Sequence, residues 1–292
     1  MRVAVTGSGG LLGTTLVPLW QEAGAVVTAW TRQGLDVTSR MAVRTAVREA
    51  RPEVIVHAAA WTDVDGAESD EPGALRVNRD GTAAVVEACA DVGALMVYLS
   101  TDYAFDGTAR SPIMPGTPVR PLSAYGRSKV AGEAVVRAGA AEWLIVRTGW
   151  VYGPGGRNFV DTMREAAAER REVSVVGDQV GAPTSARLLA EALWALVSDG
   201  ARGVWHVAAA GETSWHGVAR SVYEAAGASA ALVRSCSSVE AARPAPRPAY
   251  GVLDCRETAA RLAASLPAWD EQVRAYVRTG KLPESGFVRA TA

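Results

Sequence analysis

Short apolar runs recur through the first half of the chain, and each is followed by a longer stretch in which apolar residues return every three or four positions. The runs at residues 2–6, 25–30, 53–57, 95–100 and 142–147 are apolar almost throughout, as in strands buried on both faces. The stretches at 11–23, 39–50, 71–92 and 123–138 carry helical periodicity. Gly73 interrupts the third of these, which leaves a start after Pro72 as the alternative. Strand–helix alternation of this kind predicts an α/β fold, a Rossmann-type doubly wound parallel sheet with helices on both sides.

After Arg147 the alternation loosens. A loop over 148–157 is expected, then a helix at 158–169, a strand at 172–177, a helix at 186–197 and a strand at 203–207. The proline-dense "ARPAPRPAYG" argues against regular structure across 239–251. A last helix is predicted at 269–278, and the tail from Glu284 onward is expected to be mobile. The pattern divides into an NAD(P)-binding Rossmann domain, residues 1–149 with a returning segment near 185–212, and a smaller mixed α/β substrate-binding domain, residues 150–184 and 213–292.

Composition narrows the class. With 292 residues, 49% hydrophobic and 21% charged, the chain is of folded globular type with one or two domains. A net charge of −1 offers no basic field to nucleic acid or an anionic membrane. No apolar run approaches the roughly 18 residues of a membrane span. The opening "MRVAVTGSGG" lacks the length and flanks of a signal peptide. Cys89, Cys236 and Cys255 are odd in number and far apart, which fits a reducing cytoplasm and makes no metal pattern. His57, His206 and His216 are equally isolated and read as structural.

Candidate chemistry begins where the first strand meets the first helix. "TGSGGLLG" spaces Gly7, Gly10 and Gly13 as GxxGxxG, not GxGxxG. Glycines here permit a tight turn and let backbone approach a pyrophosphate, which faces the helix N-terminus. The position between strand and helix is the required context, so a dinucleotide is expected against this turn, Leu11 and Leu12 included. NAD-selective sites carry an acid at the end of the second strand. Here stands Arg32, which fits a ribose 2′-phosphate and points to NADPH, with NADH as the alternative and a solvated loop arginine as the plain reading. Asp36, beside Val37 in "LDVT", is a second candidate at this end, facing the adenine. The small residues Ala58, Ala59 and Ala60 after the third strand would let backbone pass close to the cofactor.

The fourth run ends in Ser100-Thr101-Asp102, and in open parallel sheets ligands bind beyond the C-terminal strand ends. In "SAYGRSKVAGE", Tyr125 and Lys129 lie one helical turn apart on one face. A nearby ammonium favours phenolate and lowers a tyrosine's pKa. Thr101, Tyr125 and Lys129 together read as a reductase trio. Tyr125 gives a proton to a carbonyl oxygen while hydride reaches its carbon. Lys129 lowers the Tyr pKa and holds ribose hydroxyls, and Thr101 donates to the same oxygen.

"VTGSGGLLG", "RPEVIVHAAAWTDVDGAE", "STDYAFDG", "YGRSKVAGE", "RTGWVYGPGGRNFV", "DQVGAPTS" and "RPAYGVLD" stand in order over nearly the whole chain. In them the sequence resembles the extended short-chain dehydrogenase/reductases, and within these the dTDP-4-dehydrorhamnose reductases. The resemblance implies reduction of dTDP-6-deoxy-L-lyxo-4-hexulose (dTDP-4-dehydro-L-rhamnose) at C4 to dTDP-L-rhamnose in the cytoplasm. It implies Thr101, Tyr125 and Lys129 as the catalytic trio, with Thr101, Asp102, Tyr103 and Trp150 toward the sugar. It also implies Asn158, Gln179, Pro183 and Arg247 along the nucleotide-sugar cleft. The family sometimes dimerises through an Mg²⁺ site, so a homodimer is one expectation, although no Mg²⁺ ligands match here. Trp61, Gly149, Ser185 and Ala104 depart from the usual Tyr, Ser, Tyr and Val. These departures leave open a 4-ketoreductase for a related dTDP-6-deoxyhexose of secondary metabolism. A non-catalytic NADP-binding regulator like that of methionine adenosyltransferase is the alternative from another class.

Overall fold

The structure, a computed structural model, describes residues 1–285. In chain order the first part contains β1 (Arg2–Thr6), α1 (Gly13–Glu22), β2 (Val26–Trp30), α2 (Arg40–Ala50) and β3 (Val54–His57). It continues through α3 (Val64–Ser69), α4 (Glu71–Leu75), α5 (Thr82–Val92), β4 (Leu95–Thr101), α6 (Ala124–Gly139) and β5 (Trp143–Thr148). Then follow β6 (Val151–Tyr152), α7 (Phe159–Ala168), β7 (Val173–Val176), β8 (Val180–Gly181), β9 (Thr184–Ser185) and α8 (Ala186–Ser198). The chain closes with β10 (Gly203–His206), β11 (Thr213–Ser214), α9 (Trp215–Ala225), β12 (Val233–Cys236), α10 (Ser238–Ala241), α11 (Arg256–Arg261) and α12 (Trp269–Thr279).

Six strands form one parallel sheet in the order β10-β5-β4-β3-β1-β2, with the order reversing beside β1. β3 and β4 are buried at every position, which explains their unbroken apolar sequence. One core cluster joins Val5, Val56, Val97 and Val146 to Leu16 and Trp20 of α1 and Leu189 and Leu193 of α8. The other face joins Ile55, Met96 and Ile145 to Val43 of α2, Val85 of α5 and Val136 of α6. A separate cluster holds Val160 and Met163 of α7, Val218 and Val222 of α9, and Val273 and Tyr276 of α12. The short pairs β6–β9, β7–β12 and β8–β11 belong to this second half.

The segment expected as one helix at 71–92 is three pieces, with the separate α3 before it. Asp63 caps α3 through Gly66 N, Asp70 caps α4 through Gly73 N, and a π-helical turn, Arg76–Gly81, leads into α5. Asp70 ends one helix and starts the next, so α4 begins before Pro72, with proline in the first turn where its missing N–H costs nothing. The helix α9 has no counterpart in the sequence reading. Its signal was present: Ser214 caps it, and Val218, Ala219, Val222 and Tyr223 recur at helical spacing on its buried side. The 239–251 stretch begins inside α10 and is otherwise free of helix. Of the tail expected to be mobile, Glu284 pairs with Arg187 and the Ser285 amide bonds Glu191, while residues 286–292 lie outside the described residues.

Candidate active site

The turn between β1 and α1 is tight enough to admit only glycine at two positions. Gly7 has φ +69°, and a Cβ there would lie 2.6 Å from Ala59 N. A Cβ at Gly13 would lie 2.5 Å from Ser8 Cα. Leu12, at the N-cap, makes no side-chain cap, and the first turn of α1 holds no acid. Thr14 N and Thr15 N bond the Gly10 and Leu12 carbonyls, and no side chain covers the helix start, which leaves it open to an anion. This cradle fits the pyrophosphate of a dinucleotide. Ala58 N and Ala59 N bond the Thr6 carbonyl and hydroxyl, which sets the Ala58–Ala60 backbone against Gly7.

At the end of β2, Arg32 is exposed and lies near Asp36. The Asp36 carboxylate is held below the ordinary range by Thr38, whose N and Oγ1 bond it at 2.9 and 2.8 Å. Arg32 and Arg76 add to that lowering. Arg76, in the π-helical turn, is a second cation here that sequence spacing did not reveal. Val37 is buried and packs on Gly81, not on the surface of the cleft.

Thr101 closes β4, and Tyr125 and Lys129 sit on the first two turns of α6. That helix start is held from three sides. Ser123 caps it through Gly126 N at 3.1 Å, and Glu68 of α3 accepts from Ala124 N at 2.6 Å. Arg127 pairs twice with Glu71 of α4. Deeper along α6, Glu133 accepts two bonds from Arg147 of β5 and one from Ser100 of β4. The residue before Thr101 and the helix carrying Tyr125 are thereby locked together.

Electrostatically, the trio differs from the expectation that Lys129 lowers the Tyr125 pKa. Burial pushes the Tyr125 phenol up to about 12; the Thr101 side chain, hydrogen-bonded to it, acts the other way, and the Asp102 charge pushes further up. Burial also brings Lys129 down to about 7, with Glu133 opposing. Its ammonium lies over the Tyr98 ring, 4.3 Å from the centroid. Desolvation outweighs the Thr101 hydrogen bond at Tyr125 and the Glu133 charge at Lys129. At neutral pH the phenol is a loaded acid, the form a reductase needs. Beneath Lys129, His57 bridges Thr6 Oγ1 at 2.7 Å and Thr82 Oγ1 at 3.2 Å, and burial with the Lys129 charge holds it neutral, near 3.

The remaining expected contacts separate into two groups. Asp102 and Tyr103 lie beside the trio, Tyr103 meeting Tyr125 edge-on at 5.6 Å between centroids. Arg247 reaches the same place but is engaged by Asp65 at 3.0 Å and by the Tyr103 hydroxyl. Trp150 has φ +52° and stacks flat on Trp215, with ring centroids 3.6 Å apart. Gly181 lies against its other parts, where a Cβ would come within 2.6 Å of the indole. Pro183 is buried one residue before Thr184, whose N bonds the Trp150 carbonyl. By contrast, Asn158 spends its carboxamide on capping α7 and on Gly153 O, and Gln179 donates to Ser238 at 2.8 Å. Of the unusual residues, Ser185 caps α8 and bonds Gln272, and Ala104 is core, so neither departs at the cleft. Trp61 packs in the small cluster that includes Tyr125, and Gly149 faces Asp102. Among the described residues no group of three or more His, Cys, Asp and Glu could hold a metal ion, so Mg²⁺ gains no ligands.

Comparisons with known proteins fit this architecture. The RmlD substrate binding domain family matches residues 1–281. A dTDP-4-dehydrorhamnose reductase of Streptomyces griseus is 44% identical over 87% of this chain and 85% of its own. A dTDP-4-keto-6-deoxy-D-glucose reductase of Streptomyces niveus is 43% identical over 86% and 88%. The crystal structure of dTDP-4-dehydrorhamnose reductase from Bacillus anthracis in complex with NADP superposes with a TM-score of 0.91 at 34% identity, covering 94% of this chain and 98% of that one. Since the match spans the glycine turn, the trio and the second half alike, the chain belongs to the RmlD substrate binding domain family, that of the dTDP-4-dehydrorhamnose reductases.

Proposed function

We propose that this chain is an NADPH-dependent sugar-nucleotide ketoreductase that reduces the C4 ketone of dTDP-6-deoxy-L-lyxo-4-hexulose to give dTDP-L-rhamnose. The observation that carries it is the placement of Thr101 at a C-terminal strand end, hydrogen-bonded to Tyr125 of α6, with Lys129 one turn further along that helix. The first part of the chain is read as the cofactor half and the second as the substrate half, working in the cytoplasm. Gly7, Gly10, Gly13 and the α1 N-terminus hold the pyrophosphate, Ala58–Ala60 flank it, and Arg32 with Arg76 attracts a 2′-phosphate. When bound, the dinucleotide supplies the hydride. Tyr125 carries a proton for the ketone oxygen, Thr101 orients that oxygen, and Lys129 faces the ribose. Among the described residues no helix is long and apolar enough to cross a membrane.

One observation favours a second sugar: the Streptomyces niveus relative, named for dTDP-4-keto-6-deoxy-D-glucose, is nearly as similar as the griseus one. The test offers both purified keto sugars, L-lyxo and D-xylo, with NADPH and with NADH, and follows cofactor oxidation and product configuration at C4. Preference for the L-lyxo sugar with NADPH is expected. Preference for the D-xylo sugar overturns the rhamnose assignment and leaves the reductase. No oxidation with either, while NADPH still binds, favours a regulator.

A further inference from the structure

Asp102 holds a carboxyl group that no charge among the described residues neutralises. It opens the 3₁₀ turn Asp102–Ala104 directly after β4 and is 3% exposed. Its Oδ1 lies 3.1 Å from Thr101 Oγ1. Two glycine backbones press on it: a Cβ at Gly149 would lie 2.6 Å from its Cγ, and one at Gly251 would lie 3.0 Å from Oδ2. The ionisable groups that face it are phenols, Tyr103 on its own turn and Tyr125 on α6, both pushed up by its charge. The β5–β6 turn meets it through Gly149 and the 242–255 segment through Gly251, neither of them ionisable. Arg247, four residues before Gly251, gives its guanidinium to Asp65 and Tyr103. Burial without a cation raises the Asp102 carboxyl to about 7, against the hydrogen bonds of Thr101 and Tyr103.

The hydroxyl of Thr101 joins this acid to the phenol. Thr101 Oγ1 accepts from Tyr103 N at 3.1 Å, neighbours Asp102 Oδ1, and hydrogen-bonds Tyr125. With one proton to give, it can point only one way. If Asp102 is a carboxylate, Thr101 donates to it, and Tyr125 donates to Thr101, turning its proton away from a substrate. If Asp102 is a neutral acid, it donates to Thr101, Thr101 donates to Tyr125, and the phenol proton is free.

We propose that Asp102, as the neutral acid, supplies through Thr101 the proton that Tyr125 gives to the ketone oxygen. The inference rests on the reductase reading above and replaces both the substrate contact expected of Asp102 and the bond from Thr101 to the ketone oxygen, since the one Thr101 proton is given to Tyr125. The balance is closed. As the carbonyl carbon takes up the hydride, the Tyr125 O–H bond breaks and the product O–H forms. The Thr101 O–H breaks as that of Tyr125 re-forms, and the Asp102 O–H breaks as that of Thr101 re-forms. Asp102 is left as carboxylate and takes one proton from solvent before the next turnover.

The test pairs infrared spectroscopy of the full chain with kinetics of Asp102→Asn, which keeps a donor toward Thr101 in the same volume but has no proton to transfer. The wild type is expected to show the carbonyl stretch of a protonated carboxylic acid at pH 6, titrating near 7 and absent from D102N. D102N is expected to bind NADPH, keep its KM, and lose about 10²-fold in kcat. Lys129 titrates in the same range, so its own alkaline limb should persist in D102N. A D102N kcat within about twofold of wild type would leave a structural hydrogen bond as the sole role and overturns the relay. Absence of the band in wild type at pH 6 overturns it too, and needs no variant to fold. Protein that shows the band yet reduces no keto sugar overturns the reductase reading and the relay with it.

Discussion

Glu133→Ala is the substitution that the structure weights most heavily. Glu133 is fully buried, and Arg147 is 2% exposed. Arg147 Nε and Nη2 donate to the two Glu133 oxygens, both at 2.8 Å, and Arg147 Nη1 reaches the Pro115 carbonyl at 3.0 Å. Ser100 Oγ donates to Glu133 at 2.5 Å and Arg137 at 2.8 Å. Removing the carboxylate leaves a guanidinium in the interior without its counter-charge, which costs about 3–5 kcal/mol. The stranded Ser100 hydroxyl keeps the figure toward the upper end. Against a total stability of about 5–15 kcal/mol this is a large fraction. With an m-value of about 3 kcal/mol/M in urea, a loss of about 4 kcal/mol moves the midpoint down by about 1.3 M. Equilibrium urea unfolding followed by tryptophan fluorescence measures it. Since Ser100 precedes Thr101 and α6 carries Tyr125, kcat should fall as well. A midpoint within about 0.3 M of wild type would refute the claim that this pair holds α6 to the sheet. The pH dependence has a definite sign. Burial raises the Glu133 carboxyl, but Arg147, Ser100 and Arg137 outweigh it, so the folded value lies below the ordinary one. The contribution is present above the unfolded value and is lost as pH falls through the folded one.

Four further outcomes are expected. Tyr125→Phe should fold and bind NADPH while losing about 10²–10⁴-fold in kcat, and near-wild-type turnover would remove Tyr125 from the proton step. Lys129→Met should slow turnover and weaken NADPH binding. It should also raise the urea midpoint at pH 6 more than at pH 10, because the folded pKa of about 7 lies below the ordinary lysine value and the burial penalty fades as pH rises between the two; an equal midpoint shift at both pH values contradicts the burial argument. Arg32→Ala should raise KM for NADPH and leave NADH little changed, and a wild type that favours NADH would sink the 2′-phosphate reading. Gly149→Ala would push a methyl group into the Asp102 carboxyl and should lower kcat with little change in cofactor affinity measured by fluorescence titration; unchanged kcat would show that Asp102 can shift freely.

The sequence alone determined the features that repeat at short range. Unbroken apolar runs identify strands buried on both faces, because a parallel sheet covered by helices has no polar side to show. The helix boundaries fell close where a Ser capped them, as at Ser39, Ser123 and Ser185. The glycine turn and the Tyr–Lys spacing were equally legible, since their chemistry needs fixed residue types at fixed intervals. Tertiary structure decided the rest, because it depends on which distant residues share a low-dielectric space. The spacing of Tyr125 and Lys129 suggests a mutual lowering, yet burial by β4 and its neighbours drives the phenol up and the ammonium down over Tyr98. Asn158 and Gln179 read as cleft residues, but a helix cap and Ser238 claim them. Asp102 reads as one more polar residue at a strand end. Only the approach of Gly149 and Gly251, about 50 and 150 positions away in the chain, seals its carboxyl from water and leaves it without a cation among the described residues, and so lets it hold a proton near neutral pH.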